Sequence, residues 1–293
     1  METTKHLHEN ALRRLNDSPG ERIDFILSDW WIGYDEANII LTEMDRLITH
    51  PRNLRMPCLA MISEANNGKT TTLRRCLKLH GTEYTDDDQI VLPVLFFEAP
   101  PEPDEGRLYS SILSALAVAH RQDAAPEKLL AKVIERLTML NVKLLMGDEF
   151  HNILQGTPRN HRQFLTALKS LLNQLKLPFV AAGTPEVITA LSVDAQFVTR
   201  FEYLELPRWD INQTTLRMIK SIERQLPLSQ PSGLAEKDKA IPIISSSGNT
   251  LGGIVNIVKR SAVAAIQNGQ NFIDQATLET TINTLNKRNI TNR

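Results

Sequence analysis

Hydrophobic positions between residues 56 and 207 form short continuous runs that alternate with longer segments of helical periodicity. Three amphipathic segments predict helices, at residues 108–120, 126–140 and 162–175. Five apolar runs predict buried β-strands, at residues 57–62, 90–97, 142–149, 178–184 and 201–206. Because strands that alternate with helices usually pair in parallel, this pattern predicts an α/β fold of three layers (αβα), with helices on both faces of a parallel five-stranded sheet.

The regions on either side of this core are typical of helices alone. Residues 11–55 predict helical segments with a break at Pro19-Gly20, and the pattern after Trp209 is again helical. We therefore expect three parts, namely an N-terminal helical extension (1–55), an α/β core (56–207) and a small C-terminal α-helical lid (208–293).

Composition narrows the class of protein. The 293 residues are 42% apolar and 23% charged, which is enough to bury a full core and predicts about two domains. No apolar run approaches the roughly eighteen residues of a membrane span, and the first residues lack a signal-peptide core. Only Cys58 and Cys76 are present, and the seven His residues form no ligand cluster. These features predict a cytoplasmic protein that has no membrane partner and no zinc site.

The net charge of −1 hides an asymmetry along the chain. Residues 208–293 carry eleven Lys and Arg against six Asp and Glu, whereas the preceding residues carry an acidic excess. A basic surplus of this size is compatible with nucleic-acid binding and equally with an ordinary solvated helical surface. Charge alone leaves both readings open.

The first apolar run leads into a motif that suits a nucleoside triphosphate. The pattern G-x-x-x-x-G-K-[ST] is met except at its first position, where Ser63 replaces glycine. In such a loop the backbone N–H groups point at phosphates, Lys69 contacts the β and γ oxygens and the Thr70 hydroxyl ligates Mg²⁺. The predicted ATP-binding residues are Ser63, Glu64, Ala65, Asn66, Asn67, Gly68, Lys69, Thr70 and Thr71.

A second motif lies about eighty residues downstream, where the third apolar run ends in two adjacent carboxylates. Parallel strands deliver such residues at their carboxyl ends, beside the phosphate loop. There Asp148 would hold Mg²⁺ and Glu149 would polarise the water that attacks the γ-phosphate. An isolated Asp-Glu pair is commonly a solvated loop, but the two motifs together predict a Mg²⁺-dependent ATPase core, since each predicts the strand and loop context of the other.

The predicted positions of the strands suggest roles for two further residues. Thr184 ends the fourth strand, where its hydroxyl could contact the attacking water or the γ-phosphate, although Gly-Thr-Pro is also a common turn. Arg200 precedes the fifth strand, from which an arginine could reach the γ-phosphate of a neighbouring subunit, although a lone Arg is more often a surface ion-pair partner. Both are candidates for catalytic roles alongside Lys69 and Glu149.

Several short blocks, in order from about Glu21 to Ile282, resemble the TniB branch of the TnsC/MuB-type AAA+ transposition ATPases. The blocks are Ile32-Gly33-Tyr34, Arg55-Met56-Pro57, Asn66-Asn67-Gly68-Lys69-Thr70, Asp148-Glu149-Phe150-His151-Asn152, Ala182-Gly183-Thr184-Pro185, Arg200-Phe201-Glu202 and Leu206-Pro207-Arg208-Trp209. On this resemblance Lys69 and Thr70 take the Walker A role, Asp148 and Glu149 that of Walker B, Thr184 that of the first sensor and Arg200 that of the arginine finger. Ile32 and Gly33 are assigned to the nucleotide site.

The resemblance implies an ATP-dependent protein that forms a ring or helical homo-oligomer on double-stranded DNA. Such a protein marks a target site and recruits or stimulates a DDE-type transposase, often together with a TniQ-like targeting partner. Two other functions share the same nucleotide motifs. One is an AAA+ signalling or chaperone-like switch that does not bind DNA, and the other is an ATP-gated DNA filament with negligible hydrolysis.

The chain departs from the family pattern in the lid and near the expected pore. Gly253 stands where an arginine often serves as second sensor, which leaves that role empty or taken by Lys259 or Arg260. The loop after the second strand is acidic, so that Arg107 and, behind it, Arg121 are the predicted DNA contacts.

Overall fold

The computed structural model describes residues 5–84 and 89–291, which form two compact units. One unit contains residues 35–207. The other combines the residues up to Tyr34 with those from Arg208 onward. The segment 1–55, expected as a single N-terminal extension, is thus divided between the units. Its second half belongs with the sheet, because the helix that begins at Asp35 packs against the first strand.

The unit of residues 35–207 contains seven strands, seven α-helices and a 3₁₀ helix over Phe150–Leu154, counted within the described residues. Its strands are β1 (Cys58–Ile62), β2 (Glu83–Tyr84), β3 (Ile90–Val91), β4 (Val94–Glu98), β5 (Leu144–Asp148), β6 (Phe179–Gly183) and β7 (Phe201–Glu205). Its helices are α3 (Asp35–Thr49), α4 (Lys69–Leu79), α5 (Glu105–Ala115), α6 (Pro126–Met139), α7 (Pro158–Leu175), α8 (Glu186–Ser192) and α9 (Ala195–Val198).

The predicted parallel five-stranded sheet is confirmed, with the strand order β4-β5-β6-β1-β7 and parallel pairing throughout. The central strands β1, β5 and β6 are buried along their whole length, as expected of parallel strands that are covered on both faces. Strand β1 is separated from the next sheet strand in the chain, β4, by β6 and β5. The loop after β1 therefore opens into the crevice where the strand order reverses, which is the usual ligand site of such sheets.

Two layers of helices cover the sheet. Alternate residues of β1, β4, β5 and β6 pack with α5, α6, α7 and α8 in one cluster, which includes Phe97, Ile112, Phe164 and Phe179. Helices α3 and α4 also contact the strands, and their buried residues lie outside that cluster, so they cover the opposite face. The expected three-layer arrangement is present.

Three predicted elements have different bounds in the structure, and one of them, the helix expected over 162–175, begins earlier, at Pro158. The run 90–97 is divided at Pro93, which has no N–H to donate; β3 pairs with β2 in a separate hairpin and β4 joins the main sheet. The helix expected over 108–120 begins at Glu105 and ends at Ala115. The Asp104 side chain caps its first turn, and Ala117 has a φ of 53° that ends the helical path.

The other unit is helical. It contains α1 (Glu9–Arg13), α2 (Pro19–Leu27), α10 (Gln213–Glu223), α11 (Lys237–Ser246), α12 (Leu251–Gln267) and α13 (Gln275–Thr291). Its core includes Ile26, Trp209, Ile219 and Val258. Pro19 was expected to break a helix, but it opens α2, because Ser18 forms a capping box with Glu21 and proline is well tolerated in a first turn. None of the helices in the described part of the chain is both long and apolar enough to cross a membrane.

Gly253 is required by close packing inside this unit. A Cβ atom at this position would lie 2.0 Å from the backbone oxygen of Ser247, at the end of α11. Thr250 caps α12 by accepting a hydrogen bond from the Gly253 N–H. The first turn of α12 therefore sits against backbone rather than against a movable side chain. Any larger residue at position 253, including an arginine, would push the two helices apart.

We predict that Gly253→Ala lowers the free energy of unfolding of the helical unit by about 1–3 kcal/mol, the usual cost of overpacking. The matched control is Gly20→Ala in α2, where a Cβ atom meets nothing within 4 Å. Urea unfolding followed by tryptophan fluorescence measures this unit selectively, since Trp30, Trp31 and Trp209 all lie in it. Equal midpoints for the two variants would contradict the packing argument.

Candidate nucleotide-binding site

The loop between β1 and α4 has the backbone shape of a phosphate cradle. It begins after Ile62 and ends at Gly68, which caps α4 with a φ of 93°, and Asn66 has a φ of 56°. When residues with a left-handed backbone conformation stand among residues with a right-handed one, successive backbone N–H groups point into one concavity. The free N–H groups of the first turn of α4 point into the same region. The Asn67 side chain is buried and donates a hydrogen bond to the Pro207 carbonyl at 2.8 Å, which holds the loop against the chain after β7.

Ser63 departs from the motif, and the structure explains why serine is accommodated. Its φ is not positive, so the position has no need of glycine. Its N–H donates to the Gly183 carbonyl at 3.1 Å and its hydroxyl donates to the Glu64 carbonyl at 3.0 Å. The loop therefore leaves the sheet by continuing the pairing between β1 and β6, without the strain that a glycine would relieve.

Lys69 is only 5% exposed. It donates hydrogen bonds to the carbonyl oxygens of Ser63 at 2.9 Å and Glu64 at 2.8 Å. Burial lowers the pKa of Lys69, and the negative charges of Glu149 and Asp148 oppose that shift. A buried cation beside a nest of N–H groups suits a ligand of high negative charge.

Thr70 and Asp148 meet across the top of the sheet. The Thr70 hydroxyl donates to Asp148 Oδ2 at 2.5 Å, and Asp148 is 3% exposed. A hydroxyl and a carboxylate in contact fit Mg²⁺, which takes few protein oxygens and completes its shell with water and phosphate. Within the described residues, no group of three His, Cys, Asp or Glu could hold a metal by itself, so a cation here would depend on the phosphates.

Glu149 has a strained backbone next to this pair. Its φ of 51° is unusual for a residue with a side chain, and its N–H donates to Asp148 Oδ1 at 2.9 Å. The Glu149 carboxylate is partly exposed, and its Oε2 lies 3.3 Å from His151 Nε2. Strain of this kind clusters at functional sites. The sequence reasoning assigned no role to His151, although His151 stands in one of the blocks that carried the family resemblance.

Thr184 follows β6 and faces the same edge of the sheet. A hydrogen bond from the Thr184 side chain lowers the pKa of Glu186, which begins α8. The Thr184 N–H lies 3.5 Å from His151 Nδ1, at the outer limit of a hydrogen bond. The structure thus brings Lys69, Thr70, Asp148, Glu149 and Thr184 to one edge of the sheet.

Arg200 lies at the opposite edge. It precedes the first residue of β7, and its carbonyl accepts from the N–H of Cys58, the first residue of β1. Five parallel residues span about 16 Å, so Arg200 is separated from the phosphate loop by the length of the strands. Its Nη1 donates to Asn173 Oδ1 at 2.9 Å, and its Nε has no hydrogen-bond partner among the described residues. Arg200 therefore lies far from Lys69, Thr70 and Asp148 of the same chain, and its role stays a prediction.

The comparisons with known proteins agree with this geometry. The sequence matches the family of bacterial TniB proteins over residues 22–211, which is more than half of the chain. The chain belongs to the TniB family. No curated protein matches the sequence.

Solved structures that resemble this TniB-family chain include ORC2 of Aeropyrum pernix, in ADPNP-ADP complexes, Cdc6p of Pyrobaculum aerophilum and the RuvB Holliday junction branch migration motor of Thermotoga maritima. The TM-scores are 0.61, 0.59 and 0.54, at 15%, 17% and 15% identity. The matches cover 88%, 85% and 89% of this chain and 71%, 68% and 74% of the other chains. The fold is therefore that of the AAA+ ATPases.

The proposed second-sensor positions of α12 differ in their surroundings, and Arg260 is exposed. The close packing of Gly253 excludes an arginine there. Lys259 donates to the Ser28 carbonyl at 2.5 Å and lies 4.3 Å from the ring centre of Trp30, while Arg260 donates to Asn256 of its own helix. Lys259 therefore anchors the segment that follows α2.

The predicted DNA contacts of the TniB-family chain are both ion-paired. Arg107 Nη1 lies 3.1 Å from Glu102 and Arg121 Nη2 lies 2.8 Å from Asp123. Both arginine side chains are exposed, so each can exchange a carboxylate for a phosphate at small cost. Ile32 and Gly33 lie in the helical unit, where Ile32 packs on its core, and their place in a nucleotide site stays a prediction.

Proposed function

We propose that this TniB-family chain is a Mg²⁺-dependent ATPase that assembles head to tail on double-stranded DNA and regulates DNA transposition. In this role it marks target DNA and recruits or activates a DDE-type transposase, with a TniQ-like protein as a further partner. The observation that carries the proposal is the contact between Thr70 and Asp148, with Lys69 and Glu149 beside it, in a chain of this family.

Each residue of the proposed site has a distinct task in ATP hydrolysis. The loop N–H groups and Lys69 bind the phosphates, and Lys69 would exchange its two carbonyl partners for phosphate oxygens. Thr70 and Asp148 would hold Mg²⁺, which neutralises charge on the β- and γ-phosphates. Glu149 orients a water and takes its proton as the water oxygen bonds to the γ-phosphorus. The bond between that phosphorus and the bridging oxygen breaks, and ADP leaves.

The charges at the two edges of the sheet support a head-to-tail oligomer. The segments that lead from a helix into β1, β5, β6 and β7 contain no Asp or Glu, and their cations are Arg52, Arg55, Lys143, Lys176 and Arg200. At the other edge, the last strand residues and the loops after β1, β4, β5 and β6 contain no Lys or Arg, and their acids are Glu64, Glu98, Glu102, Asp104, Asp148 and Glu149. Strand β7 ends in Glu205, and the loop after it contains both Arg208 and Asp210. The basic edge of one subunit would attract the acidic edge of another. A repeated contact between two different surfaces generates a ring or a helical filament.

DNA binding is supported by the family, by two properties of the chain and by one solved structure of the same fold. The helical unit contains the basic surplus of residues 208–293. The chain has no motif that reads bases, which favours contacts to phosphates. One solved structure with the same fold, ORC1 of Aeropyrum pernix, is a complex with DNA, at 13% identity and a TM-score of 0.63.

The first prediction separates ATP binding from turnover. Lys69→Ala abolishes ATP binding, because Lys69 contacts the phosphates of the ground state, whereas Glu149→Gln binds ATP and does not hydrolyse it. Fluorescent-nucleotide titration and phosphate release measure the two effects. Hydrolysis by Glu149→Gln at the wild-type rate would show that the general base lies elsewhere.

The second prediction concerns Arg200. Because Arg200 lies at the edge of the sheet opposite the phosphate loop of its own chain, we expect it to contact the γ-phosphate bound by a neighbouring subunit. Arg200→Ala binds ATP but loses turnover, by about 10³–10⁵ if it acts as other arginine fingers do. Mixing it with Lys69→Ala restores activity, because Lys69→Ala subunits supply the arginine and Arg200→Ala subunits supply the bound ATP. In the control, Arg200→Ala is mixed with the double variant Lys69→Ala/Arg200→Ala. The double variant supplies no arginine, so this mixture recovers no ATPase activity. Failure to recover activity at every ratio rules out action between subunits.

The third prediction concerns DNA. Affinity for unrelated duplexes is similar, is higher with a non-hydrolysable ATP analogue than without nucleotide, and falls steeply with salt as counterions are released. Arg107→Ala lowers the slope of log affinity against log salt by about 0.9 if Arg107 contacts one phosphate. Equal affinity in both nucleotide states, or no binding, would favour the switch that does not bind DNA. Stimulation of strand transfer by a DDE-type transposase then tests the transposition step.

A further inference from the structure

We propose that His151 is the positioning residue of this site, which holds the Glu149 carboxylate for the attacking water and couples it to the end of β6. This inference rests on the proposed ATPase function. It concerns a side chain that touches neither of the predicted Mg²⁺ ligands. His151 contacts Glu149 through one ring nitrogen and the Thr184 N–H through the other.

The two contacts of the imidazole are compatible with one neutral tautomer. The Thr184 N–H can only donate, so its 3.5 Å contact with His151 Nδ1 is a hydrogen bond only in the tautomer whose Nδ1 carries no proton. A neutral ring of that tautomer has its proton on Nε2, the atom that lies 3.3 Å from Glu149 Oε2.

The surroundings keep the ring in this orientation. His151 lies in the 3₁₀ helix Phe150–Leu154, whose Phe150 and Ile153 are fully buried. Gly183, at the end of β6, provides the space for the ring, because a Cβ atom there would lie 3.0 Å from His151 Nδ1 and 2.5 Å from Val187. The ring is thus held between a buried helix and the end of a strand.

The consequence for Glu149 is restriction of its side chain. Its backbone is in the left-handed region, its N–H donates to Asp148 Oδ1, and its Oε2 lies 3.3 Å from His151 Nε2. One carboxylate oxygen then stays available for water. Since β6 ends at Gly183 and Thr184 follows it, a movement at this end of β6 would shift the imidazole, and through it the proposed general base.

Two substitutions separate the donor from the bulk of the ring. Glutamine places its amide nitrogen the same number of bonds from Cβ as histidine Nε2, whereas asparagine places it at the position of Nδ1. We expect His151→Asn to lower kcat by about 10²-fold, the usual cost of misplacing a reacting group by about an ångström, with nucleotide affinity unchanged. His151→Gln retains most of the turnover because it still donates to Glu149.

A second measurement does not depend on turnover. The ¹⁵N resonances of the seven histidine rings identify each tautomer, and the signals of His151 are those lost in His151→Gln. We expect a protonated Nε2 and an unprotonated Nδ1 in the wild-type protein, and a shift of the Nε2 resonance in Glu149→Gln.

The outcomes distinguish this inference from the proposed function. If wild-type protein binds and hydrolyses ATP but His151→Asn does so at the same rate, or if Nδ1 carries the proton, the positioning role is wrong and the ATPase assignment stands. If the wild-type protein neither binds nor hydrolyses ATP, the proposed function itself fails. Equal losses of kcat in His151→Gln and His151→Asn would also overturn the inference, because a donor to Glu149 would then be irrelevant.

Discussion

The parallel pairing of β1 with β6 and of β6 with β5 is the constraint on which the candidate site depends. In this register Ile62 lies beside Gly183, and Gly147 lies beside Ala181, so three strands end at one level. The loops that follow them therefore meet, and Thr70 reaches Asp148 although 78 residues separate the two in the chain. A register shift in any one strand would carry its loop away from the other two. Because all three strands are buried, such a shift would also misplace their side chains on the two helical layers.

The same parallel arrangement produces the electrical polarity of the sheet. Every strand runs in one direction, so each connection from a helix to a strand lies at one edge and each connection from a strand to a helix lies at the other. Basic residues occupy the connections into β1, β5, β6 and β7, and acidic residues predominate in the connections after the strands. Two connections differ, because the one into β4 contains Glu83, Asp86, Asp87 and Asp88 and the one after β7 contains Arg208. Lys176 caps the C-terminus of α7, where a cation complements the helix dipole. The head-to-tail association that the unlike edges would favour stays a proposal.

Sequence reasoning succeeded where the signal is local. The five strands of the sheet follow from residues that are close in the chain, because an apolar run ending in polar residues carries its own context. The loop after β1 and the Asp148-Glu149 pair were found by the same local signal, and their roles in a nucleotide site stay predictions. It was less accurate at element boundaries, where capping decides. Asp104 and Thr157 extend two helices towards their N-termini by capping them, and Ser18 makes Pro19 the start of a helix rather than a break.

The sequence by itself determined which side chains are available for nucleotide chemistry and the strand that delivers each of them, since strand periodicity and motif spacing are properties of the chain. Only the tertiary structure decided how these residues meet. It placed Arg200 at the edge away from Lys69, made Gly253 a packing requirement through the backbone of Ser247, and brought His151 against Glu149 beside Thr184. The physical reason is that contacts between residues far apart in the chain depend on strand order and register, which local patterns do not encode.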